Sequence, residues 1–218
     1  MKPSEIKQSH SAKGILKLLD LSFAYKAFQW VAGDYKVYRK FLEPIVELSK
    51  EKKEISILDI GCGNGNVVHY LPKNVKYIGY DFNTDYINKA RLRFANNNNI
   101  KFILLDINNS EPQFDSQFDV VIAIGVLHHL DDEGCSKLFT SVIKNLNKDG
   151  LFFTIDPVYI ENQNSIARFI ISKDRGKAIR NQDKMRELQT PYFQSIEHSI
   201  HNNLSNMPYT HIFTKCKK

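Results

Sequence analysis

Ile55-Ser56-Ile57-Leu58-Asp59-Ile60-Gly61-Cys62-Gly63-Asn64-Gly65-Asn66 is the stretch that decides the fold. An apolar run of β type ends in an acidic residue, and three glycines follow at alternate positions. Glycines so placed let the backbone turn sharply and approach a ligand that no Cβ could tolerate. They also bring free N–H groups and the next helix's N-terminus up to that ligand. The spacing is Gly-x-Gly-x-Gly, not the Gly-x-Gly-x-x-Gly of dinucleotide sites, because Asn66 stands where the third dinucleotide glycine belongs. Asp59 would sit badly beside a pyrophosphate and suits a ligand that carries an amine or a sulfonium. The segment implies a nucleoside-type cofactor that is positive at its centre. Asn66 and Asp59 together disfavour an NAD-linked oxidoreductase.

Working outward, strands are expected near 55–60, 76–81, 100–105, 118–124 and 150–155, with helices near 65–71, 84–95 and 133–146. Strands alternating with helices at this spacing argue for βαβ units and a parallel sheet. Asp149-Gly150 reads as the end of a helix and the restart of the chain as the fifth strand. Upstream, residues 11–50 read as two helices broken at Gly33-Asp34, the first with an aromatic-rich face. Downstream of Pro157, residues 164–172 and 181–189 look helical, and 193–200 and 209–216 look like two strands in a hairpin at the sheet edge. The expected fold is α/β, a doubly wound, mostly parallel seven-stranded sheet with an N-terminal helical extension. Three regions follow: residues 1–50 as an extension or lid, 51–160 as the cofactor-binding core, and 161–218 as helices and edge strands on the substrate side.

The chain's 218 residues suit one domain with appendages, and 42% hydrophobic content supports an ordinary core. Three cysteines, Cys62, Cys135 and Cys216, are an odd count without metal spacing, which fits a reducing cytoplasm. Cys62 reads as a small filler in the glycine loop, and no metal is expected. Lys13, Lys17, Asp20 and Lys26 interrupt every apolar run near the N-terminus, so no signal-peptide core is present. No stretch approaches the roughly 20 apolar residues of a membrane span. The net charge of +6 is uneven: residues 1–50 hold 9 basic and 5 acidic residues, 51–160 hold 11 and 14, and 161–218 hold 10 and 5. Basic flanks around a mildly acidic core suit an anionic substrate, or form a solvated surface.

In a doubly wound sheet, ligands bind beyond the carboxyl ends of the strands. The second strand ends at Asp81, where a carboxylate can accept both hydroxyls of a ribose. The third ends at Asp106, placed to accept from an adenine amino group. The fourth runs Phe118 to Gly125 and continues Val126-Leu127-His128-His129-Leu130. This set resembles the class I S-adenosylmethionine-dependent methyltransferases, over roughly residues 55–157 and with four motifs in order. The resemblance implies a Rossmann-like fold and S-adenosylmethionine as cofactor, with S-adenosylhomocysteine as its product. It further implies that Asp59, Gly61, Cys62, Gly63 and Gly65 wrap the methionine part and that Asp81 binds the ribose, with Phe82 against the adenine. Asp106 and Ile107 would flank the base, and the Ile124–Gly125 backbone would meet the methionine amine. Phe28-Gln29 with Gly33, Asp156-Pro157, Ala167-Arg168, Asp174-Arg175-Gly176 and Pro208-Tyr209-Thr210-His211 are similar to features of a small bacterial subgroup. Its members often lie among surface-polysaccharide or specialised-metabolite enzymes.

A hydroxyl nucleophile needs a base to take its proton, and histidine suits neutral pH. His128 and His129 stand beside the expected methyl position. One of them is the catalytic candidate, as base or substrate-orienting donor, or both are structural, one capping or bracing the following helix and one lining the cleft without chemistry; the sequence does not separate them. Asp156, Arg175, Tyr209 and His211 are candidate substrate contacts. Against this, Asp156 can serve a turn before Pro157, and His211 an exposed strand edge. Arg168, Lys173, Arg175, Lys177 and Arg180 form a basic run that fits phosphate or carboxylate, or a solvated helix face. Tyr25, Phe28, Trp30, Tyr35 and Tyr38 form either a lid or simple packing. No Asn-Pro-Pro-Tyr or Asp-Pro-Pro-Tyr follows the fourth strand, which speaks against nucleic-acid amino methylation. The expected activity is methyl transfer to a small-molecule or glycan-like acceptor, anionic if the basic flanks meet it, with O-methylation favoured. Nucleic acid is the less expected partner, since the basic residues lack aromatic interleaving. A nucleic-acid methyltransferase and a non-catalytic S-adenosylmethionine-binding partner protein are the alternatives.

Overall fold

A computed structural model describes residues 34–106, 114, 117–174, 176 and 178–218. Seven strands form one sheet: β1 (Ile55–Ile60), β2 (Val75–Asp81), β3 (Ile100–Leu104), β4 (Phe118–Ile124), β5 (Leu146–Pro157), β6 (Ser195–His201) and β7 (His211–Lys217). Their order is β3-β2-β1-β4-β5-β7-β6. The first five run parallel, while β7 pairs antiparallel with both β5 and β6. The helices are α1 (Asp34–Glu51), α2 (Thr84–Arg93), α3 (Asp132–Asn145), α4 (Ser165–Ser172) and α5 (Gln182–Gln189).

Alternate residues of the strands feed two cores. Ile55, Ile57, Val120, Ile122 and Phe153 pack on one face with Phe41, Leu42 and Ile45 of α1 and Ile87 and Ala90 of α2. Leu58, Ile60, Val121, Ala123 and Phe152 pack on the other with Cys135, Leu138, Phe139 and Val142 of α3 and Met185 of α5. The apolar residues of α3 recur at helical spacing, which aims one stripe at the sheet. Asparagine or aspartate caps open four helices: Asn83, Asp131, Asn164 and Asn181 each accept from backbone N–H groups of the first turn.

The expected α-helix over 65–71 is instead a short 3₁₀ turn, Asn66–Tyr70. Val67 and Val68 are β-branched, and Pro72 forces Leu71 into extended backbone, so too few residues remain for an α-helix. The fifth strand begins earlier than expected. Leu146 pairs with Phe118, the register then jumps, and Leu151 pairs with Val120. Asp149-Gly150 lies in this excursion, where a Cβ on Gly150 would stand 2.8 Å from Leu146 Cδ2. The first expected helix, with Tyr25, Phe28 and Trp30, lies outside the described residues.

Register decides where the site forms. Ile60 lies opposite Tyr80 and Ala123, Ile124 opposite Ile155, and Pro157 opposite His211. The chain winds outward from β1 through β3 and then crosses to β4, so a crevice opens beyond the ends of β1 and β4.

Candidate active site

Gly61, Gly63 and Gly65 all hold positive φ (71°, 53° and 74°), the conformation that glycine adopts without a Cβ penalty. The N–H groups of Gly61 and Cys62 both donate to the Tyr80 carbonyl, at 2.8 and 3.0 Å, stitching the loop to β2. A Cβ on Gly61 would stand 2.7 Å from Val126 Cγ2, and one on Gly65 2.7 Å from Phe102 Cζ. At Gly63 it would meet nothing within 4 Å, so this glycine faces open space. Burial, then Asp59 and Asp81, push the Cys62 thiol far above its ordinary range, which leaves it a filler without nucleophilic character.

The two carboxylates at the strand ends differ. Asp81 accepts from the N–H of Gly63 at 2.9 Å on one oxygen and from that of Asn83 at 2.8 Å on the other. It thus couples the glycine loop to the cap of α2, and Phe82 beside it is 73% exposed. Asp59 is buried, takes the Tyr77 hydroxyl at 2.6 Å on Oδ2, and has no partner for Oδ1. Burial pushes its carboxyl up to about 7, against the Tyr77 hydrogen bond and with help from Asp81. Gly79 lies opposite Asp59 in register, and a Cβ there would stand 2.7 Å from Tyr77 Oη. The missing side chain is what lets the phenol cross to Asp59. Tyr77 and Gly79 escaped the sequence reading, although a glycine inside a strand signals close approach of another group. Leu105 donates to the Asp81 carbonyl at 3.0 Å and brings Asp106 to the same rim, whereas Ile107 lies outside the described residues.

Beyond β4, Gly125 (φ 65°) donates to the Ile155 carbonyl at 2.7 Å and turns the chain into a 3₁₀ turn, Leu127–His129. This turn separates the two histidines. His128 is buried; its main-chain N–H and its Nδ1 both reach Asp156 Oδ1, at 3.1 and 2.8 Å, and its Nε2 lies 3.4 Å from Asp174 Oδ1. Burial opposes charge on His128, but hydrogen bonds that the ring donates to Asp156 and Asp174 outweigh it and push the ring up to about 9. His129 is exposed and lies against it with ring centroids 4.0 Å apart and planes tilted by 40°. Partial burial and then the His128 charge hold His129 below the ordinary histidine range.

Asp156 turns its carboxylate inward onto His128 and is 1% exposed, so it braces the turn in place of facing the crevice. Tyr209 donates to Asp174 Oδ2 at 3.0 Å, and its ring meets His211 at 4.8 Å. His211, expected at an exposed edge or in the crevice, stands between β5 and β6 in register; its Nδ1 is buried without a partner, and burial pushes it down to about 4. The basic run divides: Arg168 lies over the Tyr159 ring at 5.2 Å, and Arg175 and Lys177 lie outside the described residues. Arg180 is buried and donates to the carbonyls of Leu127 and Leu130 and to Asp132, gripping the histidine turn. Tyr35 and Tyr38 pack against Tyr70 just after the glycine loop, at 5.9 and 5.2 Å. Among the described residues, no group of three or more His, Cys, Asp or Glu could hold a metal ion, and no helix is long and apolar enough to cross a membrane.

A family model described as a methyltransferase domain matches residues 51–214, a span that takes in the glycine loop, both carboxylates and the histidine turn. The chain belongs to the class I S-adenosylmethionine-dependent methyltransferases. The tRNA U34 carboxymethyltransferase of Campylobacter jejuni is 28% identical to this methyltransferase over 167 residues, which cover 67% of this chain and 54% of the relative. The cyclopropane-fatty-acyl-phospholipid synthase of Escherichia coli is 26% identical over 140 residues, 62% of this chain and 35% of the relative. The chain thus spans about half the length, or less, of these curated relatives. The fold matches phospholethanolamine N-methyltransferase 2 of Haemonchus contortus with TM-score 0.68 at 16% identity, over 88% of this chain and 56% of that one. It matches the plantazolicin methyltransferase BpumL with TM-score 0.66 at 16% identity, over 90% of each chain. One relative is named for tRNA and another for a phospholipid, so the family leaves the acceptor class open and lends no support to setting nucleic acid aside.

S-adenosylmethionine is the cofactor of this methyltransferase family, and the residues here fit it. Gly63 leaves room at the loop, Asp81 keeps lone pairs beyond its two backbone partners, and the orphaned Asp59 Oδ1 suits an ammonium.

Proposed function

We propose that this chain transfers a methyl group from S-adenosylmethionine to a small-molecule or glycan-like acceptor, with oxygen favoured over nitrogen. The observation that carries the reading is a juxtaposition. The glycine loop and the histidine turn touch at Gly61 and Val126, which supports a cofactor cradle beside the one exposed imidazole of the turn. When bound, the cofactor supplies a methyl group on a sulfonium, which a nucleophile takes by in-line displacement. Asp81 would hold the ribose hydroxyls, Phe82 would cover the adenine, and Asp106 would accept from its amino group. Asp59 would face the methionine amine beside the Ile124–Gly125 backbone. Holding the partners in line is worth on the order of 7–11 kcal/mol, the larger part of what such a site must do. A histidine then removes the proton that a hydroxyl acceptor must lose.

Transfer to RNA is the second reading, favoured by the likeness to a tRNA-modifying relative. Calorimetry with S-adenosylhomocysteine on the wild type and on Asp81→Ala tests the cofactor. We expect 1:1 binding, weakened about tenfold or more as charge-assisted hydrogen bonds are lost. Methyl-labelled donor is then offered with hydroxylated small molecules, glycans and bulk tRNA in parallel. Label in small molecules or glycans supports the proposal, and label in tRNA alone replaces it with the second reading. No binding of S-adenosylhomocysteine at millimolar concentration would sink both.

A further inference from the structure

Asp174 and Gly176, after α4, lie against the histidine turn. Gly176 lies so close that a Cβ would run into His128 Cδ2 and stand 2.8 Å from its carbonyl oxygen. Ala178 donates to that carbonyl at 3.1 Å, and Arg180 follows with its grip on Leu127 and Leu130. Asp174 itself is fixed from two sides, by the Gly176 N–H at 2.8 Å and the Tyr209 hydroxyl at 3.0 Å.

A neutral imidazole has one N–H and one lone pair, and an ionised carboxylate only accepts. The His128 ring meets carboxylates at both nitrogens, 2.8 Å from Asp156 and 3.4 Å from Asp174. With both carboxylates ionised, each ring nitrogen carries an N–H, and the doubly protonated ring has no lone pair with which to take a proton. Among the described residues, the titratable groups facing the two rings are Asp156 from β5 and Asp174 from the loop after α4, with Tyr209 behind Asp174. His129 makes no such pair of contacts.

We propose that Asp174 is a positioning residue of the transfer reaction: it completes a two-sided carboxylate clamp on His128, so that His128 braces the crevice and His129 receives the acceptor's proton. The proposal rests on the methyl-transfer reading above. As an acceptor hydroxyl bonds through its oxygen lone pair to the methyl carbon, its proton passes to a His129 ring nitrogen. The carbon–sulfur electron pair stays with sulfur, and His129 later releases the proton to water.

Histidine ring ¹H–¹⁵N spectra of the full chain with S-adenosylhomocysteine, recorded across a pH series, test the clamp. In the wild type, His128 keeps both ring protons past pH 8, while His129 loses one below the ordinary histidine range. Asp174→Asn moves His128 down by about one unit or more and moves His129 down as well, because the Asp174 charge raises both rings, and Tyr209→Phe produces a smaller shift in the same direction. A wild-type His128 that titrates near 6.5, or curves unmoved by Asp174→Asn, would overturn the proposal. On the acceptor that takes label, His129→Gln should cost about 10²–10⁴ in kcat, and Asp174→Asn should displace the acid limb of the pH profile. Full turnover of His129→Gln would also overturn it. S-adenosylhomocysteine calorimetry separates the two claims: binding to wild type and Asp174→Asn alike, with unmoved histidine curves, defeats only the clamp, while no binding to the wild type defeats methyl transfer itself.

Discussion

At Gly63 an added methyl group would meet no heavy atom within 4 Å, whereas at Gly65 it would stand 2.7 Å from the Phe102 ring. Two residues apart in one loop, the same substitution therefore acts through different physics. Gly63→Ala should fold with a loss of about 1–2 kcal/mol, the cost of a left-handed backbone for a residue with a Cβ, but should weaken S-adenosylhomocysteine binding, because its methyl projects into the crevice. Gly65→Ala should lower the urea midpoint further, since the aromatic contact must also give way. Equal stability losses in the two variants would contradict this assignment. Asp59 makes a second prediction at this scale. Its carboxyl, pushed up to about 7 by burial, holds a proton in acid, and an ammonium ligand binds the ionised form. Affinity should therefore rise as the pH goes from 6 to 8, with proton release at pH 6. Calorimetry in two buffers of different ionisation enthalpy detects it, and Asp59→Asn should abolish the difference.

The elements show how strand register and loop placement turn ordinary residues into parts of the site. β2 carries Tyr77 across the gap at Gly79 to reach Asp59 on β1. Tyr77→Phe leaves a second oxygen of a buried carboxylate without a partner and should destabilise the fold by about 1–3 kcal/mol in urea unfolding. The 3₁₀ turn after β4 depends on Arg180, whose guanidinium holds two carbonyls and Asp132. Arg180→Ala should cost about 2–4 kcal/mol, because both carbonyls lose a charged donor. Lysine should recover only part of this, having no planar fork to span both. Neither pair was legible in the sequence. Tyr77 reads there as one more strand aromatic, and Arg180 as one more member of a basic run.

Across the whole molecule the histidine clamp couples the site to stability. His128 is pushed up to about 9 in the folded chain, above its ordinary 6.5, so its stabilisation is complete below about pH 6.5 and is lost as pH rises through about 9. Unfolding free energy should fall between pH 7 and 9.5 in the wild type and fall less in His128→Gln, as read by urea titration. A slope unchanged by the substitution would remove His128 from this role. The sequence by itself determined the alternation of strands and helices, the cradle at Gly61–Gly65 and the strand-end carboxylates Asp81 and Asp106. Those are local signals, written by hydrophobic period and glycine spacing within a few residues. Only the tertiary structure decided which histidine is clamped and which is exposed, that Asp156 faces inward, and that Asp174 lies against His128. These facts depend on contacts between residues 28 and 46 positions apart in the chain, brought together by strand register and by the placement of Asp174 after α4, which no local pattern encodes.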